Sequence, residues 1–412
     1  MDYNVKDFGA VGDGATLNTK SIQEAINVCA KNGGGRVVLE DGKYLCGSIE
    51  LRSMVEFHIA HTATLLASAH CEDFPERNNL KHVDSPMLPR WRNACFIFAE
   101  ECENIAITGR GTIDGNGIHF VQYRGDGVKG WLYKRIDAPT PPRMVFFTGC
   151  KNVSIENVSM VNQPAAWSYW IHDCDFVTID KIKIFANVDY PNNDGIHINC
   201  SRNVTVSNCD ITCGDDCIIV RANSVSLKEN KVCEKVSVTN CNLTSYSGGI
   251  RVGWINDGII RNCTFSNLVM TDTTVGISVY VPNGGRPEMS DVGREETVIE
   301  NLSFDNIVMH RVCCEPIKVH LMESEHSHIK CVRNLYFSNI HASGPHFCTL
   351  IGKEECPLEN IYFNDCTFEI TDGKEFDNAI SHGAISFLPG YEPMKIQHVK
   401  GWKLNNVEFT VK

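Results

Sequence analysis

Asp194 stands in the run Asn192-Asn193-Asp194-Gly195, and twenty-one positions after it come Asp215 and Asp216 in Gly214-Asp215-Asp216-Cys217. Three carboxylates brought close together do not all ionise. Mutual repulsion raises the pKa of at least one, leaving a proton donor beside ionised neighbours that can activate water. Inverting glycoside hydrolysis needs that division of labour, with acid and base about 6.5 to 9.5 Å apart so that a water fits between them. Neighbours on a regular strand point to opposite faces, so Asp215 and Asp216 share one site only if Gly214 makes a turn or bulge there.

The elements that must position these residues repeat. Asn152-Val153-Ser154-Ile155-Glu156-Asn157-Val158, Asn203-Val204-Thr205-Val206-Ser207-Asn208-Cys209 and Lys235-Val236-Ser237-Val238-Thr239-Asn240-Cys241 are variants of one theme, as are Leu302–Ile307, Leu335–Ile340 and Leu404–Val407. Alternating apolar residues mark one buried face, and an Asn then sits at the corner, where it tolerates the left-handed conformation and can bond to its copy on the next turn. Repeats beginning roughly every 23 to 32 residues mark a solenoid, and the missing leucine frame and helices exclude a leucine-rich repeat. The expectation is an all-β fold: a single-stranded right-handed parallel β-helix with an N-terminal capping α-helix. It is expected to run as one domain over 1–412, with 1–50 forming the cap and first coil.

The helix is predicted over 18–31, where Ile22, Ala25, Ile26 and Cys29 make an apolar stripe; Asn18 or Thr19 can cap it, and Gly33-Gly34-Gly35 stops it. Such a helix would cover an open end of stacked strands. Stretches 67–93, 116–142 and 284–296 are too long for corners and are expected to be loops over one flank, as walls of a cleft.

Parallel strands on neighbouring coils lie about 4.8 Å apart, which would gather Asp194, Asp215 and Asp216 into one site. Other polar residues fall on the outward positions of the same strands. Arg251 lies between Ile250 and Val252, His197 between Ile196 and Ile198, and Lys318 and His320 flank Val319. Trp254, Trp131 and Tyr280 are candidate sugar platforms, although the aromatics of 116–142 suit packing of their own loop better.

Composition narrows the function classes. The net charge of −12, with no run of clustered Lys and Arg, argues against nucleic acid. It also weighs against polyanions, unless a local basic cleft overrides the global sign. No run of about 18 apolar residues suggests a membrane span. Of the twenty cysteines, Cys209, Cys241, Cys263 and Cys366 recur at equivalent positions after Asn or Asp, as buried thiols stacked inside a coil would; metal is not expected. Many thiols and no visible export signal lead to an expected cytoplasmic location, with secretion the alternative if a leader was removed.

On these motifs the chain resembles the polygalacturonase family, glycoside hydrolase family 28. The resemblance runs from Asp7-Phe8-Gly9-Ala10-Val11-Gly12-Asp13-Gly14 and the following helix, through the coil repeats, to the two aspartate motifs: Asn192 to Asp194 match the family's Asn-x-Asp, and Gly214 to Asp216 its Gly-Asp-Asp. The resemblance implies that Asp215 is the general acid, that Asp194 and Asp216 hold the nucleophilic water, and that neither cofactor nor metal takes part. It breaks at the family's Gly-His-Gly, where Gly248 takes the histidine's place in Ser247-Gly248-Gly249, and at its Arg-Ile-Lys, which reads Ser278-Val279-Tyr280. Without those cations a galacturonate carboxylate would lose hydration uncompensated. A replacement substrate-binding set is therefore expected among Asn192, His197, Arg251, Tyr280 and Lys318, and Arg251 and Lys318 could meet an acidic sugar in another way.

The expected function is an inverting glycosidase acting on a pectin-related or other oligosaccharide. Imported short oligosaccharides in a cytosol would favour exo-action. The alternatives are a catalytically decayed carbohydrate-binding β-helix, which the intact trio opposes, and a β-helix polysaccharide lyase, which would need calcium or a strong base at the bond. The sugar, the linkage and the oligomeric state are not legible.

Overall fold

The computed structural model describes residues 1–77, 80–83, 93–126, 128, 130–141, 143–282, 296–322, 328–371 and 394–412. Short strands stack in parallel register, each rung pairing with the coil before and the coil after, so that Val177 lies between Val153 and Val204. This is a parallel β-helix. Inward residues of successive rungs pile into one continuous apolar core. Phe265, Phe304, Phe337 and Phe363 form a stack with ring centroids 4.9, 5.0 and 4.9 Å apart, the rung spacing expected of paired strands.

The corners follow the Asn rule. Asn104, Asn152, Asn203 and Asn262 each have φ 54°, a left-handed conformation that Asn accepts at little cost. Their side chains bond rung to rung: the Asn152 amide donates to Asn104 at 3.1 Å, Asn334 to Asn301 at 2.9 Å and Asn360 to Asn334 at 2.9 Å. The cysteines are all free. Cys209, Cys241, Cys263 and Cys366 are buried, each with its thiol directed at the carbonyl two residues earlier, at 3.1 to 3.3 Å.

A charge ladder runs along one outer edge. Glu103, Lys151, Asp175, Arg202, Glu234, Arg261, Glu300, Arg333, Glu359 and Lys400 occupy one register column, alternating in sign at every rung. Arg261 reaches Glu234 at 2.7 Å and Arg333 reaches Glu300 at 2.7 Å. Exposed pairs of this kind stabilise little one by one, yet the alternation opposes any pairing that skips a rung and sets like charges together.

The helix spans Thr19–Lys31 and buries Ile22, Ala25, Ile26 and Cys29 against the first rungs. Its capping differs from expectation. Asn18 holds the N-cap position, but its side chain accepts from the Val11 amide at 2.7 Å and donates to the carbonyls of Val11 and Thr16, because tying down the preceding turn satisfies more groups than one cap bond. The Thr19 hydroxyl likewise turns outward, to the Gly47 amide at 2.7 Å. Asn32 closes the helix, ahead of Gly33 and Gly34 at φ 91° and 98°.

Of the long stretches, 116–142 carries a short antiparallel hairpin, Val121–Tyr123 with Tyr133–Arg135. From 67–93, residues 78, 79 and 84–92 lie outside the described residues, as does 284–296 except for Glu296.

Candidate active site

Asp194 ends the turn that leads into the strand Ile196–Asn199. Asp215 and Asp216 lie in the turn between Asp210–Cys213 and Ile218–Arg221 on the next rung. The doublet therefore leaves the strand pattern at Gly214, as sharing a site requires. A Cβ on Gly214 would meet the carbonyls of Tyr190 and Val188 at 2.4 and 2.5 Å, so only glycine lets this turn lie against the neighbouring coil. One oxygen from each of Asp194, Asp215 and Asp216 falls within 4.8 Å of the others, and all three side chains are buried. This is closer than the 6.5 to 9.5 Å expected of an inverting pair. Taken between nearest oxygens, it lies nearer the retaining spacing of about 5 to 5.5 Å. Burial and tight turns on adjacent rungs hold the groups together.

Burial, followed by the Asp216 charge, pushes the Asp194 pKa up to about 8. Burial, with the charges of Asp194 and Asp216 behind it, raises Asp215 well above the carboxylate range. Asp194 and Asp215 titrate together and hold a proton at neutral pH. Asp216 has a different environment: Ser247 Oγ donates to its Oδ1 at 3.0 Å, and Arg251 Nη1 lies 2.7 Å from its Oδ2 as an ion pair. Such a cluster is also spaced to hold a cation, but the guanidinium of Arg251 already supplies positive charge at Asp216.

The predicted binding residues divide. Asn192, at φ 54°, turns back to Asp215 and donates to its Oδ2 from both the backbone and the side-chain amide, each at 3.3 Å. His197 is buried against Asp194, with Nε2 2.9 Å from Oδ2 and its ring stacked on Trp167 at 3.9 Å. Both residues are expected to meet substrate, and the turn and the strand register bring them against the catalytic carboxylates. Burial, reinforced by Arg251 and Arg221, holds the His197 imidazole neutral. Arg251 faces outward, over the Trp254 ring at 4.4 Å. Tyr280 meets Trp254 edge-on at 5.7 Å and has the Lys318 ammonium over its own ring at 5.0 Å.

Three further contacts are not foreseen by the sequence, although Trp131 is a candidate sugar platform and Gly248 stands out in its motif. Asn193 is fully buried, accepts from the Gly214 amide at 2.7 Å and donates to the Asn187 carbonyl at 2.6 Å, clipping the two aspartate turns together. The hairpin of 121–135 brings Trp131, whose Nε1 donates to the Gly214 carbonyl at 2.7 Å across 83 positions of sequence. A Cβ on Gly248 would meet Asp216 Oδ1 at 2.5 Å. Gly248 therefore lies directly against the Asp216 carboxylate, with no room for a side chain.

The outward column through the site changes character at the carboxylates. Phe98, Phe146, Trp170 and His197 pair rung to rung on the N-terminal side; then come Ile219, Arg251, Ser278, Lys318, Thr349 and Lys395. Inward neighbours such as Ile250 with Val252 and Ile317 with Val319 lie in the core, which fixes the direction of the column.

Fold and site together define a parallel β-helix protein with a glycosidase-type carboxylate cluster. The family model for glycosyl hydrolases family 28 matches residues 84–381, and one for "Rhamnogalacturonase A/epimerase, pectate lyase-like" matches residues 3–127. The chain belongs to glycosyl hydrolases family 28. It is 29% identical over 300 residues to a probable polygalacturonase of Vitis vinifera, covering 69% of this chain and 58% of that one. It is 26% identical over 319 residues to an exopolygalacturonase of Arabidopsis thaliana, covering 75% and 64%. The chain thus spans roughly six-tenths of the length of these two relatives. Among solved structures, a hyperthermoactive exopolygalacturonase from Thermotoga maritima shares the fold with TM-score 0.76 and 22% identity, covering 100% of this chain and 92% of that one.

Proposed function

We propose that the chain hydrolyses a glycosidic bond in a pectin-related oligosaccharide, acting from a chain end and inverting the anomeric centre. The observation that carries this reading is the meeting of three buried carboxylates from adjacent rungs, with Asp215 held protonated well above the usual range. Asp215 donates its proton to the leaving oxygen. Asp216 and Asp194 hold the attacking water between them; Asp194 Oδ1 is buried and has no hydrogen-bond partner among the described residues, which leaves it an acceptor for that water.

Exo-action is supported by the column that crosses the site. On the N-terminal side Phe98, Phe146, Trp170 and His197 are at most 2% exposed, packed with Leu80 and Trp167. A long saccharide could not continue over that face, so the chain end stops there and the leaving group lies along the C-terminal rungs.

The short carboxylate spacing favours a second reading, retention through a glycosyl-enzyme intermediate. Against it, Asp216 is engaged by Ser247 and Arg251, and Asp194 by His197, leaving neither an unencumbered nucleophile. Proton NMR of the first product decides between them: inversion gives the anomer opposite to the bond cleaved. Complete activity in Asp215→Asn would defeat both readings.

A further inference from the structure

The peptide that joins Gly214 to Asp215 is gripped from outside the coil. Trp131 Nε1 donates to the Gly214 carbonyl at 2.7 Å, on the peptide that leads into the general acid. From within the coils, Asn193 accepts from the Gly214 amide at 2.7 Å and Ser245 Oγ donates to the Asp215 carbonyl. Gly214 is buried, so removing the indole would strand its carbonyl where water does not readily replace the donor.

Trp131 reaches Gly214 because its segment crosses the coils aslant. Residues 131, 133 and 135 share one face of the returning strand, and each meets a different turn. Trp131 takes the Gly214 carbonyl, the Tyr133 amide donates to the Asp189 carbonyl at 3.2 Å, and Arg135 Nε donates to the Ala165 carbonyl at 2.6 Å. Those turns lead into three strands stacked in register, Ile218–Arg221, Ile196–Asn199 and Trp167–His172. The Tyr133 ring meets Tyr190 edge-on at 4.8 Å, beside a small apolar cluster of Val121, Ala165 and Tyr190 that stands apart from the main core. Neither the Tyr133 nor the Arg135 fastening uses the indole N–H, so the bond to Gly214 can be removed with the strap in place.

We propose that Trp131 is a positioning residue for the general acid: its indole N–H fixes the Gly214–Asp215 peptide and so keeps the Asp215 carboxyl turned into the carboxylate cluster and out of water. This deepens the hydrolase reading and rests on it for the role of Asp215, not for the contact. A sugar platform would offer the indole to substrate, whereas here its polar edge is committed to the backbone. Asp215 faces Asp194, Asp216, Arg251, the Ser247 hydroxyl and the amides of Asn192. Removing the indole N–H alters none of these groups, so a change at Asp215 reports the turn itself.

The test is Trp131→Phe, which keeps an aromatic ring and removes the N–H. On pectic oligosaccharides kcat is expected to fall about tenfold, the worth of one hydrogen bond to a buried carbonyl, with KM within about twofold of wild type. A loosened turn admits water to Asp215 and favours its ionised form, so the alkaline limb of the kcat profile should move to lower pH. Carbon-13 NMR of the aspartate carboxyl groups, with Asp215→Asn protein assigning the signal, should show the Asp215 titration moving the same way without any substrate. Tyr123→Ala removes a ring that lies 5.3 Å from Tyr133, so it weakens the strap without touching the Gly214 bond and should leave the alkaline limb in place. An equal shift in that variant would trace the effect to the strap as a whole and overturn the role of Trp131. Raised KM with unchanged kcat in Trp131→Phe would make the ring a sugar platform. A lower melting temperature with kcat, alkaline limb and NMR titration unchanged would make the contact purely structural, and either result overturns the proposal. If wild-type protein cleaves none of the oligosaccharides, the hydrolase reading fails and the NMR titration decides this one by itself.

Discussion

Nε2 of His197 lies 2.9 Å from Oδ2 of Asp194, with both groups buried and the imidazole ring stacked on Trp167. The two groups share a hydrogen bond, and Asp194 keeps only Oδ1 for anything else. This contact makes His197 a positioning residue. His197→Ala is expected to lower kcat by about tenfold or more with little change in KM, because it frees a side chain that must be held in place without removing a substrate contact. A change in KM alone would show that His197 touches substrate.

Asp215→Asn is expected to lower kcat by about 10² to 10⁴-fold, the range for loss of a general acid. The same variant should melt no lower than wild type, because a neutral amide replaces a carboxyl group that already holds its proton. Steady-state kinetics and thermal unfolding on one preparation check both.

Raised carboxyl pKa values set the sign of the pH dependence. Asp194 binds its proton more tightly in the folded chain than the unfolded value of about 3.9, up to about 8. Its contribution is fully present below the unfolded pKa and is lost as pH rises through that window, with Asp215 acting in the same sense. Stability measured in urea should fall from pH 4 to pH 8, and Asp194→Asn should flatten the slope. Activity should fall on the alkaline side as the acid deprotonates.

Gly248→Ala places a Cβ where Asp216 Oδ1 now lies, 2.5 Å away. Ser247 and Arg251 fix that carboxylate, so it moves only by breaking those contacts. Loss of activity by about a hundredfold with the fold retained is expected; near wild-type turnover would show that Asp216 has room to shift.

Arg261→Glu puts three acidic residues in a row, Glu234, position 261 and Glu300. The cost is expected at about 1 kcal/mol or a little more, because the pairs are exposed. A second change, Glu234→Arg, restores an opposite pair with position 261 but sets a like charge against Arg202, so no net recovery is expected; double-mutant analysis of urea midpoints gives the coupling at 234 and 261.

Much of the fold was legible because a solenoid repeats its instructions. Alternating Val and Ile residues, corner Asn residues and recurring Cys positions each report a local requirement, and the structure meets them at Asn104, Asn152, Cys209 and Cys241. The helix was legible from the stripe of Ile22 to Cys29, but its capping was not, because Asn18 bonds to a turn seven positions earlier rather than to the helix.

The sequence by itself determined the β-helix and the convergence of Asp194 with the Asp215 and Asp216 pair, since local periodicity and a glycine at the doublet suffice for both. Only tertiary structure decided which way the polar side chains face. Asn192 and His197 turn to the carboxylates, and Trp131 arrives on a hairpin from 83 positions away. The switch from buried rings to alternating cations and hydroxyls along one column depends on register between coils of unequal length. Loop lengths and packing set that register, and no local pattern encodes it.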